Sequence, residues 1–468
     1  MTSEVKVYSR ENDEIQRVQV VHLDDWSQLD FLWLKQETME QQIAALGCFR
    51  DIYANYLVPA FPWIFPQMVM FALPEDDEMY DVLVDCARAG MQVGEHVYYK
   101  SKEYGNVTDP LTIATILLQD GVKLKNGKPV FANKEAERLY HELEKRGCVH
   151  IVCGKFPSTK IIPVGSFAGY MSQVEQTAKL KANAHFFIMD PFDCATVYDQ
   201  VGTPFGLCIK DGVVENPPLC GREALLVEKD GVTYISKIDV RDLLIKVNEK
   251  TYIPGKNATI YTRPERAKTP DVKGTHLVII GRRVVAVKHG GKVEIPASGF
   301  VLTVSKGCKV VPGDEVTYHG LKDVQFGIQV GNSIIRKGVK TEQFISKFYN
   351  IYHLERVPYP PCLFPMDFEK ARAARMAIGA DKDGKPVLFW AEGKGKLGYV
   401  AGEDSTGASL TEMAEIAEDL ALRNAVNLDG GGSAQMLVDG VRALHISDRN
   451  KEDNSDAERL VPLGLIVR

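Results

Sequence analysis

Residues 409–433 read SLTEMAEIAEDLALRNAVNLDGGGS, and the first predictions about fold and chemistry come from this stretch. Ser409 and Glu412 have the spacing of a capping box, which predicts that a helix begins here. Helical spacing then gives that helix one apolar face, formed by Leu410, Met413, Ile416, Ala417 and Leu420. The following residues, 425–428, are typical of a short buried strand. That strand leads directly into Asp429, three glycines and Ser433.

The three consecutive glycines, Gly430, Gly431 and Gly432, are the most unusual feature of this stretch. Glycines inside sheet-like sequence cost backbone entropy and lose side-chain packing. They suit a place where the backbone approaches a ligand closely or where amides point into a cavity. Asp429 would then lie at the mouth of that cavity. The alternative interpretation is a glycine-rich bulge in which Asp429 only caps a turn.

The composition is that of an ordinary globular chain. Its 468 residues are 45% hydrophobic and 25% charged, with a net charge of -6. This balance argues against a chain-wide cationic surface, so no nucleic-acid partner is expected. Nine cysteines without a CxxC pair favour reduced thiols over a disulfide framework or a zinc knuckle. The polar N-terminus does not resemble a secretory signal, so a cytoplasmic location is expected, and a virus-borne protein remains an alternative.

Near residue 155 the sequence changes from helical patterns to short β-like runs, and this change predicts two domains. Residues 1–155 show helical patterns over 39–53, 77–89, 110–121 and 133–146, so we expect a helix-rich N-terminal domain of unknown role. Residues 156–468 show short β-like runs separated by glycine turns such as Asp211-Gly212, Asp230-Gly231 and Asp383-Gly384. The predicted fold class is therefore α+β, with a large, mainly antiparallel sheet domain that has few helices, preceded by the helix-rich domain.

The segment 57–74, LVPAFPWIFPQMVMFALP, is apolar and rich in aromatic residues. Pro59, Pro62 and Pro66 would repeatedly break a membrane helix, so no membrane span is expected. Internal packing is the simpler interpretation of this segment. A contact with a protein partner or with a second copy of the chain is the alternative.

Several blocks of the chain, taken together with NLDGGGS, resemble the phosphodiester glycosidase family. Residues 181–188, KANAHFFI, resemble the early asparagine-aromatic block of that family, and residues 203–214 resemble the glycine-centred hairpin that follows it. Residues 374–393, ARMAIGADKDGKPVLFWAEG, resemble its arginine block, and Glu458-Arg459 resembles its closing arginine block. The resemblance covers about residues 160–468. This chain departs from the family pattern at Ala184-His185, where two glycines are usual, at Met376, at Ala434-Gln435 and at Glu392, where aspartate is usual.

The resemblance implies a hydrolase that cleaves the glycosidic bond of a sugar-1-phosphate diester. The leaving group is a phosphate monoester and thus a weak base, so the reaction needs little general-acid help. It does need a carboxylate that stabilises an oxocarbenium-like state or activates water, together with donors that hold the phosphate. The candidate catalytic carboxylates are Asp429 and Glu392. The candidate substrate-binding residues are Asn183, His185, Phe187, Arg375, Asn427, Gly430, Gly431, Gly432, Ser433 and Arg459.

This assignment requires that the segments around residues 183, 375, 392 and 429 converge on one anion-accepting pocket. No cofactor is expected. Paired acids in the sequence could hold a divalent cation, but they lack the spacing of a cation-binding loop. Two other functions stay open. One is a non-catalytic module that binds a glycosylated or nucleotide-like phosphodiester, and the other is a structural component of a larger assembly that uses residues 57–74.

Overall fold

The fold is mainly β. The computed structural model describes residues 1–34, 67–71, 99–101, 105–107, 121–125, 128–145, 149–153, 170–188, 196, 198–199, 202–218, 222–263, 266–305, 308–342, 372–394, 400–450 and 453–468. The strands in the first part of the chain are β1 (Thr2–Ser9), β2 (Ile15–His22), β3 (Asp30–Trp33), β4 (Gln67–Phe71), β5 (Tyr99–Ser101), β6 (Gly105–Val107), β7 (Val122–Lys125), β8 (Lys128–Phe131), β9 (Val149–Cys153), β10 (Leu180–Asn183), β11 (Cys208–Lys210), β12 (Val213–Asn216), β13 (Arg222–Glu228) and β14 (Thr233–Ile238).

The later strands are β15 (Leu244–Val247), β16 (Lys250–Tyr252), β17 (Ala258–Thr262), β18 (Thr275–Ile280), β19 (Arg283–His289), β20 (Gly299–Val304), β21 (Val316–His319), β22 (Val324–Ile328), β23 (Ser333–Arg336), β24 (Val339–Lys340), β25 (Arg375–Asp381), β26 (Pro386–Ala391), β27 (Leu422–Asn427), β28 (Met436–Val438) and β29 (Leu463–Val467). Two α-helices lie within the described residues, α1 (Lys134–Lys145) and α2 (Leu410–Asp419).

Two antiparallel sheets build the part of the molecule that carries the glycine run. The first has the strand order β1-β2-β26-β25-β27-β23-β24, and the second has the order β28-β10-β29-β3. A large apolar core joins the two sheets, with Met376 and Trp390 from the first and Leu180 and Leu465 from the second. On its opposite face, the seven-stranded sheet packs against the apolar side of α2. The glycine run lies in the connection from β27 to β28, where the chain passes from one sheet to the other.

A second apolar core lies within residues 207–324 and is formed by shorter sheets. These are a five-stranded sheet ordered β12-β11-β22-β13-β14, a three-stranded sheet β16-β15-β21 and a four-stranded sheet β17-β20-β18-β19. Strand β13 also contributes Leu225 and Val227 to the first core, so this region packs directly against the part of the molecule that carries the glycine run. Among the described residues, no helix is both long and apolar enough to cross a membrane.

The prediction of a helix-rich N-terminal domain within an α+β fold is wrong. The described part of residues 1–155 contains nine strands and one α-helix. Strand β2 pairs with β26, and β3 pairs with β29, so the first 33 residues belong to sheets completed by the last hundred. The helix at 133–146 is present as α1, where the Asn133 side chain caps the amide of Ala136 at 2.7 Å.

Three other predicted features of the first 155 residues cannot be compared with the structure. The helices predicted over 39–53, 77–89 and 110–121 lie outside the described residues, apart from Gly121. Most of the segment 57–74 does so as well, although its residues 67–71 form β4, which pairs with β9. The domain boundary at residue 155 stays a prediction.

Candidate functional site

Hydrogen bonds attach the loop Asp429–Ser433, and Gln435 just after it, to the end of β10. The Asp429 amide donates to the carbonyl of Ala184 at 2.9 Å. The side-chain nitrogen of Asn183 donates to the carbonyl of Asp429 at 2.7 Å, and its side-chain oxygen accepts from the Gln435 amide at 3.0 Å. Asn183 is 1% exposed. Its side-chain amide therefore holds the loop in place.

Close packing disfavours a side chain at two glycines of this loop. A Cβ atom on Gly430 would lie 2.6 Å from the backbone carbonyl oxygen of Ala374, whereas one on Gly432 would meet the carboxylate of Asp448, the movable end of a side chain. Gly431 has a φ of +57°, which disfavours a side chain for a different reason. The amides of Gly431 and Ser433 already donate within the protein, to Ala374 and Gly430. These two amides are therefore already hydrogen-bonded within the protein, so the expectation that all the loop amides donate to an anion does not hold for them.

Two arginines lie against this loop. Arg375 begins β25, is 6% exposed, and donates from Nε to the carbonyl of Ala408 at 3.2 Å. Its Cδ lies 3.6 Å from the position that a Cβ on Gly430 would occupy. Arg459 makes a two-point contact with Asp448, from Nε at 2.8 Å and from Nη2 at 3.1 Å, and its Nη1 is 3.5 Å from Ser433 Oγ. Each guanidinium is therefore oriented by the protein beside the loop.

Glu392 follows β26 and is held on both carboxylate oxygens. Oε2 accepts from Arg17 Nη1 at 3.2 Å, and Oε1 accepts from the His445 amide at 2.9 Å. Since Arg375 pairs with Ala391 across the sheet, the adjacent Glu392 points to the opposite face. The backbone segments lie close together, but the side chains of Arg375 and Glu392 leave the sheet on different sides, so these two residues do not line the single pocket that was expected.

A polar cavity of about 400 Å³ opens beside Glu392. It is lined by Arg17, Glu392, Gly393, Lys394, Glu403, Asp404, Ser405, His445, Arg449 and Asn454. Glu392 is the predicted site residue in this lining. The cavity and the glycine loop lie on two sides of Ala374, because a Cβ on Gly393 would approach the Ala374 nitrogen to 2.6 Å while the Ala374 carbonyl accepts from Gly431. They are neighbouring parts of one end of the seven-stranded sheet.

His185 and Phe187 are buried in the protein, and their assignment to the substrate stays a prediction. His185 is 1% exposed, lies 3.2 Å from the carbonyl of Leu207 and 3.3 Å from Cys208 Sγ, and burial lowers its pKa to about 4. Phe187 packs in a separate apolar cluster with Leu437. Both side chains therefore stabilise the fold beside Asn183.

Asn427 is 1% exposed at the end of β27, and its backbone bonds to residues 331 and 332. The sequence-based prediction also missed several residues that shape this region, namely Arg17, Ser405, His445 and Asp448. They lie in strands or loops without a motif, so only the folded arrangement brings them together. Within the described ranges, no group of three or more His, Cys, Asp or Glu side chains could hold a metal ion.

Comparison with known proteins agrees with the family resemblance. Residues 264–468 match the phosphodiester glycosidase family model, which confirms the resemblance over that range. The matched range contains Arg375, Glu392, Asp429 and Arg459, and it excludes Asn183 and Arg17.

Among individual relatives, the chain is similar to N-acetylglucosamine-1-phosphodiester alpha-N-acetylglucosaminidase. It is 36% identical to the enzyme of Mus musculus and 38% identical to that of Homo sapiens, in each case over 86 residues. These residues are 18% of this chain and 15% of each relative, so the chain matches only a small part of their length.

Solved structures are similar at lower identity. The auto-inhibited catalytic domain of the zebrafish enzyme is 18% identical with a TM-score of 0.34, and the match covers 64% of this chain and 67% of that chain. A hypothetical protein from Synechocystis is 19% identical with a TM-score of 0.37, covering 64% of this chain and 54% of that chain.

Proposed function

We propose that this chain is a hydrolase that cleaves the bond between a sugar's anomeric carbon and the oxygen of a phosphodiester. The observation that carries the proposal is the placement of the Asp429–Ser433 loop, which lies against Arg375 and Ala374 at the sheet end where Glu392 borders a polar cavity. The match of residues 264–468 to the phosphodiester glycosidase model supports the same reaction class.

In this proposal Arg375 and the loop hold the phosphate. A planar guanidinium meets two phosphate oxygens at once, and a desolvated position strengthens that interaction. Arg459 is already neutralised by Asp448, so its contribution is to order Ser433 and the third glycine. Arg375 is therefore the phosphate ligand, and Arg459 a support for the loop.

Asp429 and Glu392 supply the negative charge that the reaction requires. One carboxylate stabilises the oxocarbenium-like state while water adds to the anomeric carbon and the phosphate monoester departs. Water provides the new oxygen on the sugar, and its protons end on the sugar hydroxyl and in the solvent or on the phosphate. We assign the stabilisation of the oxocarbenium-like state to Asp429, because this residue leads into the loop that holds the phosphate.

The test is a panel of sugar-1-phosphate diesters, including nucleotide sugars, incubated in ¹⁸O-labelled water and read by mass spectrometry. Cleavage at the anomeric carbon puts the label into the sugar, whereas cleavage at phosphorus puts it into the phosphate. Label in the sugar supports the glycosidase. Label in the phosphate alone, or a complete lack of turnover over the panel, overturns it.

Variants then test the residues. Asp429→Asn should lower kcat/KM at least about 100-fold, the range expected for loss of a reacting carboxylate. The matched control is Asp211→Asn, an exposed turn residue with a φ of +51° that asparagine also tolerates. An Asp429→Asn protein that folds normally and keeps full turnover would remove Asp429 from the mechanism.

The second candidate is a module that binds a phosphodiester without cleaving it. The observation in its favour is that Arg375 and Glu392 leave opposite faces of the sheet, which separates the proposed phosphate ligand from one of the two acids. Calorimetric binding of a panel member, abolished by Arg375→Ala and unaccompanied by any product, would establish this function instead.

A further inference from the structure

Arg17 connects the N-terminal part of the chain to Glu392. Arg17 lies in β2, and its carbonyl accepts from the Glu392 amide at 2.9 Å. Its guanidinium reaches the same residue a second time, with Nη1 3.2 Å from Glu392 Oε2. The remaining Nη2 donates to the carbonyl of Glu403. Arg17 therefore holds both the backbone and the side chain of Glu392.

Ser405 strengthens this connection. Its hydroxyl accepts from the Arg17 amide at 3.2 Å and donates to the Glu392 carbonyl at 2.9 Å. Ser405 is 4% exposed, as is Glu392, whereas the Arg17 side chain is 34% exposed and borders the cavity. The carboxylate is thus fixed from one side by Arg17 and from the other by the His445 amide.

A carboxylate held by two donors on its separate oxygens has little freedom to rotate. Such orientation matters in catalysis, because a reacting group displaced by about 1 Å costs on the order of 100-fold in rate. The residue that provides it here lies before residue 264, outside the range that matches the family model.

We propose that Arg17 is a positioning residue that keeps the Glu392 carboxylate at the wall of the polar cavity in the orientation required for hydrolysis. The inference rests on the proposed function, since it assumes that Glu392 takes part in the reaction. It adds a contribution from the N-terminal strand β2 to a site otherwise built by the C-terminal half of the chain.

The experiment compares Arg17→Gln, Arg17→Lys and Arg282→Gln in the full chain. Arg282 is a matched control, because its side chain is also 34% exposed and pairs with an acid, Glu315, at 2.6 Å, outside the lining of this cavity. In Arg17→Gln we expect kcat to fall about 10–100-fold, with KM within about threefold of its original value. Arg17→Lys keeps the positive charge and should restore part of the loss, whereas Arg282→Gln should leave both parameters unchanged.

A further readout separates positioning from a merely structural contribution. Hydrogen exchange at the His445 amide, followed by NMR, should become faster in Arg17→Gln and remain slow in Arg282→Gln. Exchange depends on the position of the Glu392 carboxylate and does not require turnover.

Faster exchange at His445 together with the fall in kcat supports the proposal. Unchanged exchange, or an Arg17→Gln protein with full kcat, overturns it. If the original protein shows no turnover at all, the proposed function fails, and with it the contribution of Arg17 to hydrolysis. The exchange measurement still decides whether Arg17 holds the carboxylate.

Discussion

At the scale of single residues, the glycine loop is the most sensitive part of the candidate site. We expect Gly430→Ala to lower kcat/KM by about tenfold or more, because the added methyl group would meet the Ala374 carbonyl and displace the loop from Arg375. The control is Gly338→Ala, in the turn between β23 and β24, where φ is +78° and the space is open. That variant should lose about 1 kcal/mol of stability through its backbone conformation and keep its activity. Equal kinetics for the two variants would show that the close approach at Gly430 has no functional consequence.

His185 leads to a prediction about pH and stability. Burial lowers its folded-state pKa from 6.5 to about 4, so between these values the unfolded chain binds more protons than the folded one. Above pH 6.5 His185 therefore does not lower the free energy of unfolding, and this free energy declines as the pH falls toward 4. From pH 7 to pH 4.5 this one residue should remove roughly 2–3 kcal/mol of the free energy of unfolding.

Urea denaturation at the two pH values checks the size of this contribution. His185→Gln removes the titrating group, so its stability should decline less over the same interval, even if it starts lower. A variant with the same pH dependence as the original protein would mean that other groups cause the decline.

Also at this scale, the sequence could indicate Asp429 and its glycines but not Arg17 or His445. The glycine run can be recognised in the sequence because consecutive glycines destabilise a strand. In the structure, Gly430 and Gly432 lie close to Ala374 and Asp448, where a side chain would collide. Arg17 lies in an ordinary strand, and its partner is 375 positions away. A contact of this kind leaves no local trace in a single sequence.

At the scale of secondary-structure elements, the start of α2 is a testable unit. Ser409 and Glu412 form the predicted capping box, with both reciprocal hydrogen bonds present. Ser409→Ala should therefore cost about 1 kcal/mol in the free energy of unfolding. Thr411→Ala, an exposed position two residues further on, should change it by less than about 0.5 kcal/mol. Indistinguishable urea midpoints for the two variants would contradict the stabilising role of the cap.

Local signals such as this cap were predictable, while the geometry of the turns was only partly so. Asp211 and Gly212 both have positive φ, as expected for a primed two-residue hairpin between β11 and β12. At Asp230-Gly231 only the glycine does, because the connection from β13 to β14 spans four residues rather than two. The sequence predicted where the chain turns, and the length of each flanking strand decided the type of turn.

At the scale of the whole molecule, the arrangement of strands explains why the N-terminal prediction failed. Alternation of buried and exposed residues is weak in β2, whose positions 18–21 are all buried, since the strand lies between β1 and β26 and is covered on both faces. Pairing partners nearly 370 residues apart cannot be deduced from one sequence. The C-terminal sheet was predictable in kind, because its strands are short and separated by glycine turns.

The same arrangement makes a final prediction about which part of the chain folds alone. A chain that starts at residue 156, the predicted domain boundary, would lack β2 and β3. It would expose the edge of β26, where residues 386–391 are all buried in the complete protein, and the edge of β29. An uncovered, fully apolar strand edge favours aggregation. We therefore expect residues 156–468 alone to be insoluble or to unfold without a cooperative transition, as judged by circular dichroism and size-exclusion chromatography.

Addition of a separately expressed segment 1–34 should restore soluble protein, because it supplies both missing strands. A stable, monomeric fragment 156–468 would show instead that the boundary at 155 marks an independent domain and that β2 and β3 are dispensable additions to its sheets.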